Sequence, residues 1–164
     1  AFSFYNRDSR MKKLIHHLKY NGVMEIGFEL GRMYANSLKS SDFLIGIDMI
    51  IPVPLHPVKQ RKRGFNQCEL ISRGISDVTG IPVNTDSLIR KNISDTQTRK
   101  SRYDRWTNVE GIFMVKDQSS IEGCHILLVD DVITTGSTLE SCANEILKAS
   151  GTTVSVAALA VAIL

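Results

Sequence analysis

The chain has 164 residues, the size of one compact domain able to bury a substantial core. With 43% hydrophobic and 23% charged residues it has the composition of a soluble globular protein, and no secretory signal pattern opens it. Its three cysteines, Cys68, Cys124 and Cys142, are scattered and lack Cys-x-x-Cys spacing, which argues against a disulfide framework or a zinc site and leads us to expect a reducing cytoplasm. Cys68 and Cys142 fall on helical patterns and are expected to pack as small buried hydrophobes.

In chain order, Met11, Leu14, Ile15 and Leu18 recur at helical spacing and predict a helix from about Ser9 to Tyr20, ended by Asn21-Gly22. His16 and His17 are neighbours on it and cannot share a face, so exposed positions are expected rather than a metal site. A second helix is predicted from about Glu25 to Leu38. Met49-Ile50-Ile51-Pro52-Val53-Pro54 reads as a buried strand stopped by its prolines. It leads into Lys59-Gln60-Arg61-Lys62-Arg63, read as a basic loop, and then a helix from Gly64 to Val78, ended by Thr79-Gly80. Short strands are predicted over Ser87–Arg90 and Gly111–Val115. The polar stretch between them, Asn92 to Asn108, has the character of a long functional loop.

Ile126-Leu127-Leu128-Val129 then predicts a buried parallel strand, with Asp130 and Asp131 at its end. Val132-Ile133-Thr134-Thr135-Gly136-Ser137-Thr138 follows as a small hydroxyl-rich turn into a helix carrying Leu139, Cys142, Ile146 and Leu147, stopped near Ser150-Gly151. The apolar run Val154 to Leu164 is too short to span a bilayer and reads as a terminal strand. Alternating strands and helices predict an α/β domain with a mainly parallel twisted sheet, whose ligands bind beyond the carboxyl ends of the strands.

A strand, an acidic tip, a polar turn and a helix N-terminus suit a phosphorylated sugar: amides hold the phosphate while carboxylates accept from ribose hydroxyls. A Walker B strand also ends in Asp-Asp, but the chain has no Gly-x-x-x-x-Gly-Lys-Ser/Thr loop. A receiver-type acidic pocket would not require Thr-Thr-Gly-Ser-Thr, and a purely structural turn is the remaining alternative.

The 126–138 segment resembles the phosphoribosyl pyrophosphate (PRPP) motif of type I phosphoribosyltransferases at every position. Val53-Pro54-Leu55 and Arg63-Gly64-Phe65-Asn66-Gln67 resemble, more narrowly, the ComF family of competence-associated, amidophosphoribosyltransferase-like proteins. So do Lys19-Tyr20-Asn21-Gly22 and the pattern Gln97-Thr98, Ser101-Arg102, Arg105, Asn108-Val109, Gly111 and Phe113. Arg99 and Lys100 depart from that family's pattern, which has small and apolar residues there.

The resemblance implies the type I phosphoribosyltransferase fold over residues 1–164, with an amino-terminal helical hood over 1–45 and a PRPP-binding core over 46–164. It implies diol binding by Asp130 and Asp131, and 5′-phosphate binding by Thr134, Thr135, Gly136, Ser137 and Thr138. Arg61, Lys62, Arg63 and Gly64 would hold pyrophosphate. A flexible loop over about 92–108 would bring Gln97, Arg102 and Arg105, with Trp106 anchoring it. Magnesium would come with PRPP rather than from protein ligands. The expected activity is transfer of a 5-phosphoribosyl group to an unidentified acceptor. The alternative is a non-enzymatic protein that binds PRPP and single-stranded DNA in DNA uptake, with a competence helicase as partner. The four-cysteine zinc finger common in that family is not in this sequence. Alanine rather than methionine comes first, so a piece of a longer chain is expected.

Overall fold

The computed structural model describes residues 2–5, 10–91 and 111–162. Four parallel strands form the main sheet in the order β1-β6-β5-β2: β1 (Ser3–Tyr5), β2 (Met49–Pro52), β5 (His125–Ile133) and β6 (Thr153–Ala162). Residues 82–84 extend it past β2 through a parallel bridge between Ile50 and Val83. A separate antiparallel pair, β3 (Leu88–Arg90) and β4 (Phe113–Val115), stands at the base of the 92–110 segment. The segment itself, with Gln97, Arg102, Arg105 and Trp106, lies outside the described residues.

The sheet sits between two apolar layers because β5 is apolar on both of its faces. Leu127 and Val129 point toward α1 (Arg10–Tyr20), α2 (Met24–Leu38) and α4 (Gln67–Thr79), where they meet Ile15, Leu30, Ile71 and Ile75. Ile126 and Leu128 point the other way, toward Leu139, Cys142 and Ile146 of α5 (Ser137–Ile146) and Phe113 of β4. Strand alternation divides one apolar run between two cores. Cys68 and Cys142 are buried among these apolar groups, as their helical positions predicted.

Five details depart from the sequence reading. β1 was not anticipated; it docks on β6 with Ser3 opposite Ala160, and a three-residue strand carries almost no periodic signal. Leu14 is 36% exposed, because Met11, Ile15 and Leu18 already fill the buried stripe of α1. The expected basic loop is a helix, α3 (Pro57–Arg63). Pro57 starts it, His56 Nδ1 accepts from the Val58 amide at 3.2 Å, and its three carboxyl-terminal cations suit the negative end of the helix dipole. Gly64 ends this helix in the left-handed conformation (φ 86°) instead of starting the next one. Finally, Asp130 and Asp131 lie within β5, not beyond it, because ten-residue β6 pairs with it as far as Ile133.

The amino-terminal helices are held close to the sheet by α4. A Cβ on Gly31 would collide with the Ile71 carbonyl oxygen, and one on Gly74 with the Phe28 carbonyl oxygen. Two glycines therefore allow α2 and α4 to cross at backbone contact. Asn66 caps α4, its Oδ1 accepting from the Cys68 amide at 3.0 Å while its Nδ2 donates to the Val53 carbonyl at 3.0 Å. One side chain thus pins the helix start to the end of β2.

Candidate functional site

At the carboxyl end of β5 the chain turns into α5 and encloses an open cup of about 200 Å³. Asp130, Val132 and Ile133 line it with Thr134, Thr135, Gly136, Ser137 and Thr138. Gly136 occupies the cap position with φ 82°, and among the described residues no side chain takes the capping role at α5. The amides of the first helical turn consequently face the cup, with the positive end of the helix dipole behind them. Thr134, Thr135, Ser137 and Thr138 are exposed around that end, and the Thr135 and Ser137 hydroxyls lie 3.0 Å apart. The Ser137 amide has only a long 3.5 Å bond to the Thr135 hydroxyl, and first-turn amides with a ring of hydroxyls form a donor-rich surface suited to a phosphate.

The two carboxylates take different environments because neighbouring residues on a strand face opposite ways. Asp130 turns into the cup, where its Oδ1 accepts from the Asp131 amide at 2.8 Å and from the Cys68 thiol at 3.4 Å. Burial and the Asp131 charge raise its pKa to about 6 despite those hydrogen bonds. The Cys68 thiol is pushed well above its ordinary range by burial and by the same two carboxylates, so it is a neutral donor. Asp131 does not line the cup. It is buried, with the Lys19 ammonium 2.6 Å from its Oδ2 in an ion pair that lacks hydrogen-bond directionality.

Structure therefore brings together Asp130 and the whole 134–138 turn. Arg61, Lys62, Arg63 and Gly64 do not line the cup; they form the end of α3 and its cap, beside the start of α4. Arg61 and Lys62 are exposed, whereas half-buried Arg63 donates to Gln67 Oε1. Phe65 is half-buried at that junction. A larger hollow of about 740 Å³ opens between β2, the start of α4 and β3, lined by Pro52, Pro54, Gln60, Asn66, Glu69 and Arg90 among others.

Sequence reasoning missed three contributors to the site. Lys19 lay in a noted family-like segment without a role, and its partner is 112 positions away by number. Cys68 was read as packing only. Asn66 belonged to a recognised segment but showed no sign of tying β2 to α4. His16 and His17 are exposed, and the described residues contain no group of three or more potential metal-binding side chains.

A model of the phosphoribosyl transferase domain matches residues 22–162, and the chain belongs to that family. Within it, the chain is a ComF-type protein. It is 36% identical over 141 residues to competence protein F of Haemophilus influenzae, covering 82% of this chain and 59% of the relative. It is 31% identical to competence protein ComFC of Bacillus subtilis, covering 89% and 57%, and 32% identical to DNA utilization protein YhgH of Escherichia coli O157:H7, covering 87% and 63%. The chain thus spans about three-fifths of the curated relatives it matches.

Solved structures agree on the fold. Glutamine PRPP amidotransferase from B. subtilis superposes with a TM-score of 0.56 at 23% identity, over 81% of this chain and 26% of that one. Adenine phosphoribosyltransferase from Saccharomyces cerevisiae gives 0.51 at 14% identity, over 88% and 71%. The type I phosphoribosyltransferase fold expected from the sequence is the fold found.

Proposed function

We propose that this protein binds PRPP at the carboxyl end of β5 and transfers its 5-phosphoribosyl group to an acceptor, releasing pyrophosphate. The observation that carries the reading is the glycine-capped start of α5, set beside Asp130 in one cup. The first-turn amides and the hydroxyls of Thr134 to Thr138 hold the 5′-phosphate. Asp130 accepts from the ribose hydroxyls and so orients the anomeric carbon. Asp131 supports Asp130 from behind rather than reaching the sugar itself. Transfer breaks the anomeric carbon–oxygen bond through an oxocarbenium-like state, and orientation and charge stabilisation supply most of the acceleration. Arg61 and Lys62, exposed at the end of α3, balance the charge of the departing pyrophosphate.

Magnesium fits this donor set only as an ion carried by PRPP. No three-ligand cluster is found among the described residues, and magnesium readily keeps water and phosphate oxygens. Bound there, it would neutralise pyrophosphate. Titration calorimetry with magnesium and PRPP tests the reading: binding is expected, and is lost in Asp130→Asn. Absence of binding by the unaltered protein would sink it. Pyrophosphate release stimulated by one compound in an acceptor screen would then establish transfer.

A second reading, binding of single-stranded DNA during DNA uptake, is favoured by the helix surfaces. Relatives named for competence and DNA utilization accompany an α1 with Arg10, Lys12 and Lys13 and no acidic residue. Tyr20, 71% exposed, packs against His16 with ring centres 4.7 Å apart. Cations beside an exposed ring suit phosphates beside an unstacked base.

A further inference from the structure

Among the described residues, the most telling contact outside the cup is the ion pair between Lys19 and Asp131. It joins the last turn of α1 to the middle of the PRPP motif, at 2.6 Å, with side chains only 24% and 7% exposed. Surface ion pairs do little, but a pair this buried is a different case: removing one partner strands a charge away from water. Asp131 Oδ2 has no hydrogen bond to fall back on. Lys19 is therefore its sole close counter-charge among the described residues.

The same ammonium acts beyond its partner. The groups around Asp130 are Asp131 from its own strand, Cys68 from α4 and Lys19 from α1, with Arg90 of β3 and Cys142 of α5 one step further out. Burial and Asp131 oppose the Asp130 charge. The Asp131 amide, the Cys68 thiol and Lys19 favour it, and Lys19 is the one cation acting on it among the described residues. Two adjacent carboxylates in a half-dry site resist being charged together. A cation between helix and strand removes that conflict.

We propose that Lys19 is a positioning residue of the PRPP site, supplying from α1 the counter-charge that balances Asp131 and so lets Asp130 carry its charge beside it. This rests on the PRPP reading for its functional meaning, but the electrostatic link exists without ligand. Asp131 is held against α1, facing away from the cup, while Asp130 is left charged and free to accept from the ribose diol. The amino-terminal helix thereby sets the charge of a site built by β5 and α5. A merely structural salt bridge would affect folding stability and leave the behaviour of Asp130 untouched.

Carboxylate carbon NMR on the ligand-free full chain, titrated from pH 4.5 to 8.5, separates the two. The unaltered protein should show Asp130 titrating near 6. Lys19→Met should move that midpoint upward, Lys19→Arg should keep it close to the original, and Lys19→Met/Asp131→Asn should bring it back down. The double variant removes both charges and guards against a single variant that fails to fold. In calorimetry, Lys19→Met should weaken PRPP binding roughly three- to tenfold at pH 6.5, with the gap closing by pH 8.5. An unmoved Asp130 midpoint in Lys19→Met, or failure of Lys19→Arg to restore it, would overturn the proposal. If the unaltered protein binds no PRPP, the functional reading falls, while the NMR titration still decides the role of Lys19.

Discussion

Asp130 concentrates the tension between stability and function in a single side chain. Its pKa rises from 3.8 to about 6, chiefly through burial, so the folded state holds its proton more tightly than the unfolded chain. The sign follows: this residue costs nothing below about pH 4, and stability falls as pH climbs through 6, staying lower above it. Asp130→Asn should therefore stabilise the protein at pH 8 by about 1–3 kcal/mol and by about a third of that at pH 4.5, as urea denaturation at both values would measure. Asparagine still accepts from the Asp131 amide, so the fold should be kept while, on the proposed reading, PRPP binding is lost. A destabilising Asp130→Asn at pH 8 would contradict the burial argument. Cys68 is tied to the same centre; Cys68→Ala removes a thiol donor and should raise the Asp130 midpoint, a change readable in the same carboxylate signals.

Among the elements, the crossing of α2 and α4 is the most sensitive. Gly31 and Gly74 face each other's helix with carbonyl oxygens where a side chain would stand. Either glycine to alanine forces the helices apart and should cost about 3 kcal/mol, lowering the thermal midpoint while PRPP contacts remain intact. Asn66→Ala removes both the cap of α4 and the bond to Val53, and about 1–2 kcal/mol of loss is expected. Contrast α3, which buries no residue. Arg61→Ala with Lys62→Ala should leave the melting temperature within a degree or two of the original, since exposed positions contribute little to stability. The same pair should weaken PRPP binding in calorimetry, and unchanged affinity would remove α3 from the pyrophosphate role. Composition alone misassigned this helix as a loop: its cations were read as ligand contacts, while Pro57, His56 and Gly64 supplied start, cap and stop.

For the whole molecule, cations on α1 and α3 give the charge of +3 a direction that the total hides. Fluorescence anisotropy with a labelled oligothymidylate should show binding that weakens steeply with salt, and Tyr20→Ala should reduce it about tenfold. Affinity indifferent to salt and to Tyr20 would set the DNA reading aside. Much of this architecture was written locally. The apolar run of β5, the helical stripes of α1, α2, α4 and α5, and the turn from Thr134 to Thr138 are patterns of neighbouring residues, and they determined the fold class and the place of the cup by themselves. Residues distant in sequence had to meet before the rest existed. Pairing with β6 carried β5 past its two aspartates, and alternation then sent Asp130 to the cup and Asp131 to Lys19. No sequence period encodes a contact between residues 19 and 131, because it depends on how α1 lies across the sheet. The polar turn at the end of β5 was thus determined by the sequence alone, whereas the pairing of its two aspartates with Lys19 and Cys68 was decided only by tertiary packing, where burial turns a modest surface attraction into a strong one.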